Sequence, residues 1–322
     1  MSDEGNNRIQ VLDCSIRDGG LMNCWNFDPA FVNESVAASV KVGVDYIELG
    51  YKAGTEFFNP AEYGIWRFCP ETALRSAWGD QTLNGHSRLS VMIDIGRFNL
   101  ADLLPASESV VSTFRVACYT HQIPEAIETG LYLQKLGYES FVNIMAVSEA
   151  CKEELNEGLR LISSDSPARG IYVVDSYGSL NPTHTKRIVE WYRSMCPGKE
   201  IGFHGHNNQQ LALANTLAAI EAGATIVDAS LYGMGRGAGN CHLELILSQL
   251  NRNVGDLAPL FEVMDRHVVA LRERLRWGYS LPYALAGMAN QHPRRAMAIM
   301  DKHQGIMDSG YLGELIAGQE IG

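Results

Sequence analysis

The 322 residues carry 37 Asp and Glu against 26 Lys and Arg, and the net charge of -11 excludes a nucleic-acid or anionic-membrane surface as the main partner. Apolar residues make up 46% of the chain, enough for a large core; no stretch reaches the ~20 apolar residues of a spanning helix, and the polar start MSDEGNNRIQ lacks the apolar segment of a secretory signal, so a cytoplasmic protein is expected. Seven cysteines, scattered and never in C-x-x-C spacing, point to neither a disulfide framework nor a thiolate zinc site.

The first apolar run, IQVLD from residue 9, reads as a strand and is followed by IRDGG, residues 16–20, an acidic-basic turn that offers Arg17 and Asp18. Cys14 and Cys24 flank it as minor candidates for chemistry. Asp28 and Pro29 then form a cap and first-turn pair for a helix with Val32, Val36 and Val40 on one face and Gly43 as its stop. VDYIELG from residue 44 is the second strand and carries Glu48. Residues 51–88, with Pro60, Trp66, Pro70 and Trp78, exceed a normal connection and read as a partly helical insertion over a binding mouth, a candidate lid.

Strands follow at LSVMID from 89, STFRVA from 112, FVNIMA from 141 and IYVVD from 171, the last leading into Asp175 and Ser176. Tyr119 and His121 come just after the fourth strand. Asn181 and Pro182 repeat the capping pair before Ile188, Trp191 and Met195. In the seventh strand, IGFHG from 201, His204 and His206 stand two apart, so both imidazoles project to one face and can grip a single ion. A helix with Leu213, Leu217 and Ile220 ends at Gly223, and TIVDAS from 225 is the eighth strand. LYGMGRGAGN, residues 231–240, allows close backbone approach but lacks both the G-x-G-x-x-G spacing and a Walker lysine, which speaks against nucleotide binding. Its Asn240 either caps the next helix or reaches toward the histidines.

Strand and helix thus alternate eight times, and the chemically able residues fall at strand C-terminal ends. A closed parallel (β/α)8 TIM barrel gathers those ends at one mouth, whereas an open sheet spreads them along an edge. The expected architecture is a barrel over residues 8–255 with a helical extension, 256–322, packed on it, the last dozen residues being loose. Two imidazoles and the Asp18 carboxylate leave about half of an octahedral shell open to substrate; such a set suits Mn²⁺ or Mg²⁺, with Co²⁺, Fe²⁺ or Zn²⁺ also able to bind. Arg17 can stabilise a developing enolate or carboxylate oxygen, and Glu48 can orient it.

The pieces LDCSIRDGG, DYIELG, DSYGSLNP, GFHGHNNQQLALANTLAAIEAGATIVDASLYGMGRGAGN and CHLELIL resemble the metallolyase superfamily of hydroxymethylglutaryl-CoA lyase, isopropylmalate synthase and 4-hydroxy-2-oxovalerate aldolase, with the last branch nearest in wording. The resemblance implies a divalent metal on Asp18, His204 and His206, Arg17 as the enolate-stabilising group steadied by Glu48, and Asn240 close to the metal. Ser176 and Asn208 join as supporting or substrate-binding residues. It also implies C-C bond making or breaking through the enolate of a small 2-oxo acid such as pyruvate with an aldehyde, in a homo-oligomer, with an aldehyde dehydrogenase as a further partner. One departure stands out: the aldolases carry an acid/base histidine shortly after the Arg-Asp pair, and here Gly19, Gly20 and Leu21 occupy that stretch. Tyr283 is the main candidate for the missing proton-transfer group, with Tyr279, Tyr119 and His121 behind it. Two rival readings are an acyl-CoA-dependent Claisen-type synthase or lyase of the same superfamily, and a non-catalytic metal- and 2-oxo-acid-binding partner of an aldehyde dehydrogenase.

Overall fold

A computed structural model describes residues 8–80 and 86–302. Eight parallel strands close into a barrel in sequence order: β1 (Gln10–Asp13), β2 (Tyr46–Tyr51), β3 (Arg88–Asp94), β4 (Thr113–Cys118), β5 (Glu139–Ile144), β6 (Gly170–Asp175), β7 (Glu200–Gly205) and β8 (Ile226–Ala229), with β8 pairing back onto β1. The apolar, β-branched-rich runs are buried on both faces, as parallel strands inside a helical ring must be. Along each strand the inward positions alternate. Leu12, Tyr46, Phe141, Tyr172 and Ile226 fill the lower barrel, and the next inward positions up supply Cys14, Glu48, Asn143, Val174 and Asp228. The register of β2 on β3 shifts between Glu48 and Tyr51, a bulge at the C-terminal end of β2.

Seven of the eight strands are followed by a barrel helix among the described residues: α2 (Pro29–Lys41), α3 (Glu71–Trp78), α4 (Ile123–Lys135), α5 (Lys152–Asp165), α6 (Pro182–Met195), α7 (Ala212–Glu221) and α8 (Leu243–Gln249). The expected caps are in place: Asp28 accepts from Ala30 N at 2.9 Å and Asn181 from His184 N at 3.0 Å. Strict alternation fails between β3 and β4. Only two short 3-10 turns occur there, one capped by Asn99 and the other led by Pro105, whose ring interrupts any longer helix.

Two further expectations need correction. IRDGG is not a turn but part of a helix, α1 (Ser15–Asn23), inserted before the first barrel helix; Asp13 starts it by accepting from Ser15 N at 2.9 Å, and left-handed Cys24 ends it. The stretch from 51 to 88 is only partly an insertion, because α3 packs beside α2 as an ordinary crossover helix. Ahead of it, the 3-10 turn Ile65–Arg67 presses on β2, where a Cβ at Gly50 would run into the Trp66 carbonyl. Since backbone cannot yield as a side-chain tip can, Gly50→Ala is expected to destabilise by ~2 kcal/mol or more, read as a lower urea midpoint.

Beyond α8 the chain continues through α9 (Ala258–Val263), α10 (Val269–Leu275), α11 (Leu281–Met288) and α12 (Pro293–Lys302). α9 packs on α2, and the Trp277 indole donates to the Tyr232 carbonyl at 3.2 Å, so these helices lie against the barrel. Residues 303–322, with the last dozen, lie outside the described residues. Among the described residues no helix is long and apolar enough to cross a membrane.

Candidate active site

The C-terminal ends of the strands surround a cavity of about 80 Å³. Its wall includes Arg17, Asp18, Arg115, Ser176, His204 and His206, so residues far apart in sequence meet there. Ligand atoms of Asp18, His204 and His206 all lie within 4.8 Å of one another.

The proton positions favour a cation. His204 Nδ1 lies 2.8 Å from Asp228 Oδ2, and an ionised carboxylate can only accept, so Nδ1 carries a hydrogen and, in the neutral ring, Nε2 is the nitrogen with the lone pair. His206 Nδ1 faces the Gly239 carbonyl at 3.2 Å, which imposes the same tautomer. Burial holds His206 well below the ordinary histidine range, against the pull of Asp18, so its imidazole is neutral. Burial opposes ionisation of Asp18, but Arg17 first, then the two histidines and Arg236, hold the carboxyl well below the usual carboxylate range. Asn240 donates to Asp18 Oδ2 at 2.8 Å, while its own buried Oδ1 has no hydrogen-bond partner among the described residues. An anionic oxygen, two imidazole lone pairs and an unsatisfied amide oxygen form a donor set that fits a divalent ion.

Asn240 does not cap α8, whose N-cap is His242; it is turned into the barrel by a bridge to His206 and by the glycine-rich loop. A Cβ at Gly235 would collide with both the Asn240 amide and the Asp18 carboxylate, so only glycine fits.

A buried charge chain underlies the site. Arg17 Nη1 donates to Asp18 Oδ1 at 2.6 Å and Nε to Glu48 Oε2 at 2.7 Å. Glu48 Oε1 lies 3.2 Å from Arg115 Nε, and Arg115 Nη1 meets both Asp228 oxygens at 2.7 Å. Asp228 then holds His204. Burial alone would push Asp228 up, but Arg115 and His204 keep it below the usual range. Asp18, Arg17, Glu48, Arg115, Asp228 and His204 are thus linked without a break. Arg115 and Asp228 were not singled out in the sequence, although each is a charge inside an apolar strand run.

Of the other expected residues, Ser176 lines the cavity and its Oγ accepts from Ala146 N at 2.9 Å. Asp175 is spent on the following loop, accepting from Ser179 N and Leu180 N, and burial pushes it up to about 6. Asn208 and Tyr283 are brought together away from the cavity: Asn208 Nδ2 donates to the Tyr283 carbonyl at 3.0 Å, fastening α11 to the loop after β7. The Tyr283 ring packs beside Gly237 in a small apolar cluster, outside the cavity wall. Tyr279 is exposed, and Tyr119 reaches the cavity stacked on His121. Cys14 is buried with its thiol pushed up by burial, donating to the Ala229 carbonyl; Cys24 is exposed. Tyr51, Arg236 and His292 also line the cavity, and sequence reading missed them.

The HMGL-like family model matches residues 109–263. The chain is 32% identical over 274 residues to the 4-hydroxy-2-oxovalerate aldolase of Carboxydothermus hydrogenoformans, covering 83% of this chain and 79% of that protein. It is 30% identical over 267 residues to that of Pelotomaculum thermopropionicum, covering 81% and 76%. Among solved structures, the N-terminal domain of a proposed aldolase from Bacteroides vulgatus superposes with a TM-score of 0.76 at 28% identity, over 90% of this chain and 96% of that one. The HMG-CoA lyase of Bacillus subtilis shares the fold at 16% identity and a TM-score of 0.66, over 86% and 97%.

Proposed function

We propose, for a chain that belongs to the HMGL-like family and within it to the 4-hydroxy-2-oxovalerate aldolase-like proteins, a divalent-metal-dependent aldolase that makes or breaks the C-C bond joining the carbon next to the keto group of a small 2-oxo acid to the carbonyl carbon of an aldehyde. The observation that carries this reading is the meeting of Asp18, His204 and His206 beside Arg17 at the barrel mouth. Asp18, His204 and His206 would hold Mn²⁺ or Mg²⁺, with Asn240 alongside, and the ion would supply Lewis acidity to the keto oxygen.

The chain's own residues complete the chemistry. Arg17 has Nε and Nη1 committed to Glu48 and Asp18, which leaves Nη2 without a hydrogen-bond partner among the described residues on a side chain that lines the cavity. That fixed corner is suited to the negative charge that grows on the keto oxygen as the enolate forms, and no reorganisation is needed when it does. Glu48 and Arg115 hold the guanidinium in place. Met92, Ala117, Met145 and Val174 give the cavity an apolar side that limits water around the carbanion-like carbon. With Tyr283 outside the wall, proton transfer falls to wall groups with exchangeable hydrogens: Tyr51, Tyr119, Ser176 and His292. The Tyr177 hydroxyl is already committed to Glu149 at 2.8 Å. The resemblance extends this reading to a cytoplasmic homo-oligomer with an aldehyde dehydrogenase consuming the aldehyde.

Proton exchange tests the reading without knowledge of the aldehyde. Metal-loaded protein is expected to exchange pyruvate methyl protons with D₂O about 10³-fold faster than protein stripped with chelator, and added Mn²⁺ should restore the rate. Equal exchange by metal-free protein, or none by protein that binds Mn²⁺ and oxalate, rejects it; the second result favours a binding partner over an enzyme.

A further inference from the structure

Against the inner cavity lies an outer chamber that shares Leu21, Tyr51, Tyr119, Met145, Arg236 and His292 with it but is lined by none of Arg17, Asp18, His204 and His206. On a protein of net charge -11, this chamber is lined, among the described residues, by four guanidinium groups, Arg67, Arg97, Arg236 and Arg294, and a single carboxylate, Asp94. Arg67 is the most telling of them. It is only 3% exposed and enclosed by aromatic rings, 3.7 Å from the Phe58 centroid, 4.5 Å from Tyr51 and 4.7 Å from Trp25. Among the described residues its guanidinium makes no hydrogen bond, its solvent-shielded Nε has no partner, and the nearest carboxylate oxygen, on Asp94, is 4.0 Å away and closer to Arg97. A guanidinium carries five N-H donors, and leaving them unfilled in a buried place is costly unless a ligand fills them.

The seam between the two chambers is short of acceptors in the same way. Among the described residues Arg236 has a shielded, unpartnered Nε, and its Nη2 is satisfied only by the Ser176 carbonyl at 3.0 Å. His292 Nδ1 accepts from Arg294 N at 3.1 Å, so in the neutral ring Nε2 carries the hydrogen and points it at Arg236 Nη1, 3.4 Å away. Two donors therefore face each other, and an anionic oxygen between them would satisfy both.

We infer that the outer chamber is an anion seat for the second substrate: the aldehyde carries a carboxylate or phosphate at its far end, held by Arg67 and Arg236. This rests on the aldolase reading and sharpens it. The 2-oxo acid is placed at the inner cavity with Asp18 and the histidines, and Arg67 lines only the outer chamber, so the group it meets belongs to the other reactant. A short neutral aldehyde would leave the guanidinium donors unfilled.

The test condenses pyruvate in the Mn²⁺-loaded protein with succinic semialdehyde, glycolaldehyde phosphate and the neutral butanal, with methyl-proton exchange measured alongside. One of the anionic aldehydes is expected to exceed butanal in kcat/KM by on the order of 100-fold, and whether it is the carboxylate or the phosphate names the group. Arg67→Gln and Arg236→Gln should each reduce that anionic-to-neutral ratio by about 10-fold or more, a quantity that general damage to the enzyme leaves unmoved. Butanal used as well as both anionic aldehydes while exchange proceeds overturns the anion seat and leaves the aldolase standing. Absent exchange overturns the aldolase; the seat is then judged by calorimetric titration of inorganic phosphate and of succinate into oxalate-loaded protein, where no binding, or binding indifferent to Arg67→Gln, overturns it.

Discussion

Asp18→Asn protein is expected to lose Mn²⁺ affinity by more than about 100-fold and turnover with it, because even residues that only orient a metal ligand cost 10- to 100-fold when replaced. The substitution keeps the shape of the side chain and changes its hydrogen bonding. Asp18 Oδ1 accepts from Arg17 and Oδ2 from both Asn240 and the Arg236 backbone N-H, so an amide in either orientation sets a donor against a donor. It also removes the one negative charge between Arg17 and the two imidazoles. The companion Arg17→Ala variant separates binding from rate: Mn²⁺ affinity should stay within about tenfold while pyruvate exchange falls by about 10²- to 10³-fold, the cost of losing a fixed donor at a developing oxyanion. Calorimetry of metal binding beside exchange kinetics reads both. If Asp18→Asn binds Mn²⁺ as tightly as the parent, this carboxylate is not a ligand.

The acid response of the folded protein follows from the same carboxyl. Its pKa in the fold lies below the ordinary carboxylate range of the unfolded chain, so its ionisation contributes stability above that range. That contribution is lost as pH falls through the lower folded value.

The barrel was legible because parallel strands buried on two faces have to be apolar and short, and helices between them have to announce their starts. VDYIELG and IYVVD became β2 and β6 almost to the residue, and Asp28 and Asn181 cap as their neighbours require. The connection from β3 to β4 was misread because rhythm was extended across residues that do not support it; Pro105 stands where a crossover helix would run. IRDGG looks like a turn in sequence, and its paired glycines disfavour helix, yet the Asp13 carboxylate accepting from Ser15 N and the close packing of the Trp25 indole, which donates to the Arg17 carbonyl at 3.0 Å, hold the segment helical.

At the site, His204 and His206 could be paired by the two-residue strand period, whereas Asp18 joined them only through the topology that places β1 beside β8. Arg115 and Asp228 left a weaker mark: one charge in STFRVA and one in TIVDAS, at inward positions where an unpaired charge could not survive. Pairing them needs the register of the closed barrel, because 113 residues separate the two. Arg67 and His292 were beyond reach for another reason. Each lies in an irregular segment whose path depends on packing over long distances, so no local period points its side chain at the mouth.

The largest stability effect is expected from Arg115→Met. Arg115 is fully buried, grips both Asp228 oxygens, touches Glu48 and lies over the Tyr172 ring at 4.4 Å. Methionine of comparable length fills much of the volume but leaves Asp228 and Glu48 as buried carboxylates, each with one remaining charged partner among the described residues, His204 or Arg17. Removing one member of a buried ionic network costs about 3–5 kcal/mol, since the groups left behind keep their desolvation penalty and lose the charge that offset it. Urea unfolding measures that loss. The consequence for chemistry is separate: an Asp228 freed from Arg115 no longer holds the His204 ring in one tautomer, and Mn²⁺ affinity should fall by about 10-fold or more. Adding Asp228→Asn to Arg115→Met tests the cause, because it removes the stranded charge. The double variant should recover part of the stability lost in the single one while metal affinity stays low, for the carboxylate that orients His204 is gone. Stability of Arg115→Met within 1 kcal/mol of the parent would show that the two carboxylates are satisfied without the arginine, and that the chain from Asp18 to His204 is a contact path with no energetic coupling.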